Sequence, residues 1–195
     1  MISKITDTIR SRRTIRQFRQ EPVDLDVLKE CVRAASLAPS AMNLQPLEYI
    51  LVTNPEKRAQ IFPLLKWAGY IAPAGDPKPG QEPTAYLVIL VNSKFSGKWT
   101  RHDVGAATEN FMLAAWDSGI GSCWIASVDR EKLCSVLTIP ESCEIDSIIA
   151  LGYPAEEPRL EITSETVKYW KDTQGVLHVP KKPLDELLQI DGWNR

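Results

Sequence analysis

The stretch Thr84-Ala-Tyr-Leu-Val-Ile-Leu-Val-Asn92 decides the fold. It is apolar without a break from Ala85 to Val91. A strand with one wet face alternates apolar and polar residues, so an unbroken run means that both faces are covered. This is a buried strand of a sheet, with other elements packed above and below it. Other segments can join it. Ile145 to Leu151 is apolar and ends at Gly152-Tyr-Pro154. Glu48 to Thr53 carries Tyr49-Ile-Leu-Val52, whose continuous apolar content reads as a central strand. Cys123-Trp-Ile-Ala126 is a further strand-like piece.

The segments between these runs have helical spacing. Met1 to Ser11 places Ile2, Ile5 and Ile9 on one face. Asp24 is an N-cap, and Leu25, Leu28, Val32 and Ala35 then line one face as far as Leu37, where Pro39 stops the helix. Asn54 caps a helix with Pro55 at its first position, running to about Trp67 or Ala68. Trp99 to Ser118 is the longest helix, rich in small residues, with Gly119 suited to the left-handed position after it. Asp129 caps Arg130 to Leu137, and Pro140 closes it. Gly69 to Pro83, dense in proline and glycine, is an irregular loop. Tyr169 to Val179 is extended, and Leu184, Leu187 and Leu188 lie on a terminal helix. Taken alone, these patterns give mixed α and β structure around a buried sheet.

Composition narrows the function. The chain has 195 residues, which fits one domain, and a formal net charge of −2. That balance argues against nucleic acid, which selects a basic face. No run approaches the roughly 20 apolar residues of a membrane helix, and the start lacks the apolar core of a signal peptide. The expected location is the cytoplasm. The four cysteines and two histidines are scattered, which gives no metal site. Thiols in a reducing compartment account for the cysteines. The sequence has no G-x-G-x-x-G after a strand, no Walker A loop and no G-x-S-x-G elbow. With His102 at a helix start and His178 in a strand-like run, a hydrolytic triad has little support.

Two ligand-holding stretches remain. Arg12, Arg13 and Arg16 surround Thr14, and guanidinium forks match phosphate oxygens; a solvated basic face is the other reading. Pro39-Ser-Ala-Met-Asn-Leu-Gln-Pro46 can offer backbone N–H groups and amide side chains to a polar ring edge, or can be an ordinary connection. Trp67 and Tyr70 either wall a pocket or pack on the core. Ligand-holding groups without an evident acid or nucleophile fit a cofactor enzyme, in which the cofactor carries the chemistry.

At this point the chain resembles the nitroreductase family of FMN-dependent NAD(P)H oxidoreductases. Arg12-Arg13-Thr14-Ile-Arg16-Gln-Phe18 is similar to its phosphate motif, and Pro39 to Pro46 to its ring-binding loop. Asp103 to Ala115 with Gly119-Ile-Gly-Ser-Cys-Trp-Ile125 resembles its central helix and next strand. Ala150-Leu-Gly-Tyr-Pro154 resembles its last core strand. The resemblance implies one α+β domain over 1–195: a mostly antiparallel sheet wrapped by helices, with a C-terminal arm of about 165–195 exchanged in a homodimer. It implies that Arg12, Arg13, Thr14 and Arg16 hold the FMN phosphate and ribityl chain, with Lys181 or Lys182 completing that site. Pro39, Ser40, Ala41, Met42, Asn43 and Gln45 would meet the ring, Gln45 across the subunit interface. Trp124, Ile125 and Ala126 would line the ring near N5. Trp67 and Tyr70 would wall the acceptor pocket. The implied reaction is ping-pong hydride transfer from NADH or NADPH to nitroaromatic, quinone or related electron-poor acceptors. A flavin-cleaving or dehalogenating relative, or an FMN-binding redox sensor or storage protein, is the alternative.

Overall fold

The computed structural model describes residues 3–193. Ile2, part of the first predicted helical face, lies outside the described residues. The main sheet is four-stranded: β1 (Leu47–Val52), β2 (Ala85–Asn92), β3 (Gly121–Ile125) and β4 (Cys143–Gly152), in the order β1-β2-β4-β3, with every pairing antiparallel. β2 is interior and its first six residues are buried, as its unbroken apolar run requires.

β1 corrects one expectation. Among the described residues it lies at an edge and pairs with β2 alone. Leu47, Tyr49 and Leu51 pack on one side of the sheet, and Ile50 and Val52 on the other. Apolar continuity therefore reports two covered faces, not two paired edges.

Among the described residues five α-helices flank the sheet: α1 (Lys4–Ser11), α2 (Leu25–Ser36), α3 (Pro55–Ile61), α4 (Thr100–Asp117) and α5 (Arg130–Leu137). On one face, Leu28, Cys31 and Ala35 of α2 and Val104, Ala107, Phe111 and Ala115 of α4 bury Leu87, Ile89, Ile149 and Leu151. On the other, Ile61, Leu65, Trp67 and Leu133 cover Tyr86, Val88, Ile148 and Ala150. The predicted caps form. Asp24 Oδ1 accepts the N–H groups of Asp26 and Val27, Asn54 accepts from Lys57, and Asp129 from Lys132. Gly119 follows α4 at φ +78°, where a side chain would be strained.

Two helices are shorter than their apolar spacing predicts. α3 stops at Ile61 and tightens into a 3-10 turn, Phe62–Leu64; Pro63 has no N–H with which to continue it. The terminal segment is one 3-10 turn, Leu184–Glu186, with Leu184, Leu187 and Leu188 exposed. An isolated turn lacks the buried face that stabilises a helix. Before it, β5 (Arg159–Ile162), β6 (Trp170–Lys171) and β7 (Leu177–Lys181) form a separate sheet in the order β5-β7-β6. The predicted arm is thus divided: β6 and β7 pair within their own chain, Leu184, Leu187, Leu188 and Ile190 are exposed, and residues 194 and 195 lie outside the described residues.

Candidate active site

The arginine segment runs along the outer edge of β3. Thr14 bridges Ser122 in parallel, and the Ile15 N–H donates to the Ser122 carbonyl at 3.0 Å. Ile15, Gln17 and Phe18 are buried, whereas Arg12, Arg13, Thr14 and Arg16 are half-exposed. Gly121 makes the fit possible, because a Cβ there would lie 2.8 Å from Ile15 Cγ1. This packing lays the arginine segment beside β3 at Ser122, two residues before Trp124.

The three guanidinium groups have different surroundings. Arg12 Nε is 3.6 Å from Glu109 Oε1 on α4. Arg13 donates to the carbonyls of Arg12 and Arg10, the latter at 2.7 Å. Burial, and then the neighbouring charge of Arg12, hold the Arg13 pKa below its ordinary value. Arg16 lies over the Tyr169 ring at 5.1 Å, and its Nε is buried without a hydrogen-bond partner among the described residues. Glu156 Oε1 accepts the backbone N–H groups of Arg16 (2.5 Å) and Gln17 (3.2 Å).

The Pro39–Pro46 loop joins α2 to β1. Its centre is a 3-10 turn, Ala41–Asn43, and Met42, Asn43 and Gln45 have φ of 55°, 55° and 48°. Non-glycine residues seldom adopt this left-handed region, so the loop needs external support. Asp103 of α4, itself buried, accepts the Ala41 N–H at 2.9 Å; Ser40 Oγ accepts the Gln45 N–H at 3.0 Å. Behind the loop is a cavity of about 160 Å³ walled by Ala35, Pro39, Ser40, Gln45, Tyr49 and Asp103. Met42, Asn43 and Gln45 face solvent. The loop and the arginine segment meet α4 at Asp103 and Glu109, which lie roughly 120° apart around that helix.

Trp124 is 43% exposed, and its indole N–H donates to Ser147 Oγ at 2.7 Å. Ile125 is buried and Ala126 exposed. Trp67 sits in the core beside Phe62, with ring centroids 5.9 Å apart, whereas Tyr70 is exposed and packs on Tyr169 at 5.0 Å. Of that pair only Tyr70 is open to a ligand. The following loop is tied down by buried Gln17, whose amide donates to the Asp76 carbonyl (2.8 Å) and accepts the Lys78 N–H (2.9 Å). Lys181 and Lys182 are exposed at the end of β7, in the separate sheet.

Sequence reasoning missed Glu109, Glu156, Ser147 and the loop-holding role of Asp103. Only Asp103 left a signal, as an acidic residue at a helix start. Among the described residues no group of three or more His, Cys, Asp and Glu could hold a metal, and no helix is long and apolar enough to cross a membrane. Burial raises the thiols of Cys31 and Cys123 to about 11, so neither is a ready nucleophile.

The antiparallel sheet between helical layers is an α+β fold of the nitroreductase type. A profile of the Nitroreductase family matches residues 9–153, and the chain belongs to that family. It is 34% identical over 157 residues to an Archaeoglobus fulgidus protein provisionally named an NADH dehydrogenase/NAD(P)H nitroreductase, covering 76% of this chain and 84% of that one. A Parabacteroides distasonis structure with the same provisional name has a TM-score of 0.73 at 22% identity, covering 98% of this chain and all of the other; that likeness bears on the fold alone. An FMN-dependent nitroreductase of Clostridium difficile R20291 has a TM-score of 0.67 at 25% identity, covering 82% and 92%.

Proposed function

We propose that this protein is an FMN-dependent oxidoreductase that uses NADH or NADPH to reduce nitroaromatic, quinone or related electron-poor acceptors. The observation that carries the reading is Arg13. Its guanidinium is partly buried, lies beside a second cation, and donates to the carbonyls of Arg10 and Arg12. A phosphate there would relieve the repulsion and accept charge-assisted hydrogen bonds. Arg12 and Thr14 supply further donors, and the exposed indole of Trp124, on the strand along which their segment runs, offers a flat apolar surface to a ring. The residues present therefore fit the phosphate and ring of FMN.

When bound, FMN supplies hydride exchange between the nicotinamide and the acceptor. Arg12, Arg13 and Thr14 anchor its phosphate, with Arg16 behind them. Trp124, Ile125 and Ala126 set the position of its ring and hence the approach of the nicotinamide. Ser40, Asn43 and Gln45 present hydroxyl and amide groups to a ring edge. They lie on a different side of α4 from the arginines, so we assign them to the site of a second copy, in a homodimer with two shared sites. Exposed Ile5, Ile9, Leu37 and Met42 are the apolar surface such a dimer would cover, joined by exposed Leu184, Leu187, Leu188 and Ile190 toward the C-terminal end. We assign Tyr70, exposed beside Tyr169, to contact with the acceptor.

The test is steady-state oxidation of NADH and of NADPH by FMN-loaded protein, with a nitroaromatic and a quinone in turn. Parallel double-reciprocal lines are the expected result. A flavin that binds but is not reduced by either nicotinamide would leave a binding protein and overturn the enzymatic reading.

A further inference from the structure

The end of β3 is braced by an irregularity in β4. Along the β2–β4 pair, Ile89 faces Ser147 and Leu90 faces Ile145, which leaves Asp146 as an extra, unpaired residue. Such a bulge frees backbone groups from the ladder and re-aims the side chains next to it. Here both effects point at β3. Trp124 pairs with Ile149, so it shares a sheet face with Ser147, two residues along β4. The Trp124 indole N–H donates to Ser147 Oγ at 2.7 Å, and the Ser147 hydroxyl donates to Asp146 Oδ2 at 2.7 Å. The direction of this chain is fixed. An indole can only donate, and serine, having accepted, has one hydrogen left for the carboxylate. Ser147 is fully buried, so water does not compete for it.

The backbone of the bulge makes the second contact. The Asp146 carbonyl accepts from Arg130 Nη2 at 2.6 Å, and the same nitrogen donates to the Ala126 carbonyl at 3.1 Å. Arg130 Nε donates to the Ile145 carbonyl at 2.9 Å. One guanidinium thus ties the carbonyl of Ala126 to the bulge, while the Asp146 carboxylate, through Ser147, ties the side chain of Trp124 to it.

We propose that Asp146, Ser147 and Arg130 are positioning residues for the cofactor face: the bulge holds the Trp124 indole and the Ala126 backbone in the attitude in which they meet the flavin. The inference rests on the flavin reading above. Its substance is that ring placement, and with it the reactivity of the bound flavin, is set by residues that do not touch the ligand.

The experiment compares FMN-loaded wild type with Ser147→Ala, Asp146→Ala and Asp146→Asn. FMN dissociation constant, visible circular dichroism and flavin midpoint potential are measured for each. Asp146 is partly exposed, so its variants remain informative should Ser147→Ala not fold. Ser147→Ala and Asp146→Ala are expected to weaken FMN binding roughly five- to tenfold, the equivalent of one hydrogen bond. They should also alter the visible dichroism and shift the potential. Asp146→Asn, which keeps an acceptor oxygen, should restore the wild-type spectrum. Alanine variants with wild-type affinity, dichroism and potential would overturn this inference and leave the flavin reading intact. A wild-type protein that takes up no FMN would overturn the flavin reading, and this inference with it.

Discussion

The backbone N–H of Ile15 donates to the carbonyl of Ser122 at 3.0 Å, and this bond lays the arginine segment along β3. The contact needs the missing side chain of Gly121. A Cβ there would stand 2.8–3.0 Å from Cγ1, Cβ and Cγ2 of Ile15, a buried β-branched side chain with little freedom to move. Gly121→Ala should therefore cost about 1–3 kcal/mol by overpacking and also weaken FMN binding. Gly69→Ala, with nothing within 4 Å, is the control. Urea denaturation with flavin titration checks both; an unchanged Gly121→Ala midpoint would contradict the packing argument.

Arg13 is assigned to a phosphate and not to a ring. Hydrogen bonds to a charged group contribute roughly 1.5–3 kcal/mol, so Arg13→Ala should weaken FMN binding on the order of tenfold to a hundredfold. Riboflavin, which lacks the phosphate, should bind wild type and variant alike. Equal losses for the two ligands would remove the phosphate assignment.

Asp103 anchors a loop that holds Met42, Asn43 and Gln45 in left-handed conformations. In Asp103→Ala the part-buried Ala41 N–H loses its charged acceptor, which costs about 1.5–3 kcal/mol. Flavin affinity and, on the dimer reading, the dimer dissociation constant should both worsen. Sedimentation equilibrium at graded protein concentrations reads the second effect. Wild-type values for both would show that the loop needs no anchor.

His178 links the strands of the C-terminal sheet. Its Nδ1 is 2.6 Å from Glu161 Oε1, its Nε2 is 3.2 Å from Asp172 Oδ2, and Trp170 stacks on its ring at 4.2 Å. Burial pushes its pKa down, but the hydrogen bonds to Asp172 and Glu161, with their charges, prevail and hold it above 6.5. A raised pKa contributes stability that is full below the unfolded value and is lost as pH rises through the folded one. Asp172 has the opposite sign. Chiefly through the Val176 N–H, its pKa is lowered, and its contribution is lost only as pH falls through that lowered value. The sheet should be firmest on the acid side of neutrality and loosen as pH rises past the His178 pKa. With two histidines in the chain, proton NMR titration of the imidazole resonances, assigned with His178→Gln, reads this directly. A His178 pKa below 6.5 would contradict it.

What was legible in the sequence followed from local rules. The β2 run announced its burial, and Asp24, Asn54 and Asp129 announced their caps. The arginines and the Pro39–Pro46 loop stood out because their residue types suit a phosphate and a ring. What was not legible depends on distant partners. The edge position of β1 depends on which strands pair, which its own apolar run does not encode. The core position of Trp67 depends on Phe62 and on the turn that Pro63 imposes. The β4 bulge at Asp146 shows in no pattern, because a single extra residue in an apolar run looks like part of the strand. The terminal leucines kept helical spacing but found no surface to pack on.

The central claim is that Arg12 to Arg16 and Trp124 to Ala126 hold FMN. The visible spectrum of the purified protein, with the released chromophore identified and counted, tests it most directly. The account predicts a yellow protein that yields FMN at about one per subunit, or a colourless one that takes up FMN to that ratio on reconstitution. A protein that stays colourless after reconstitution would contradict the claim and leave only the fold.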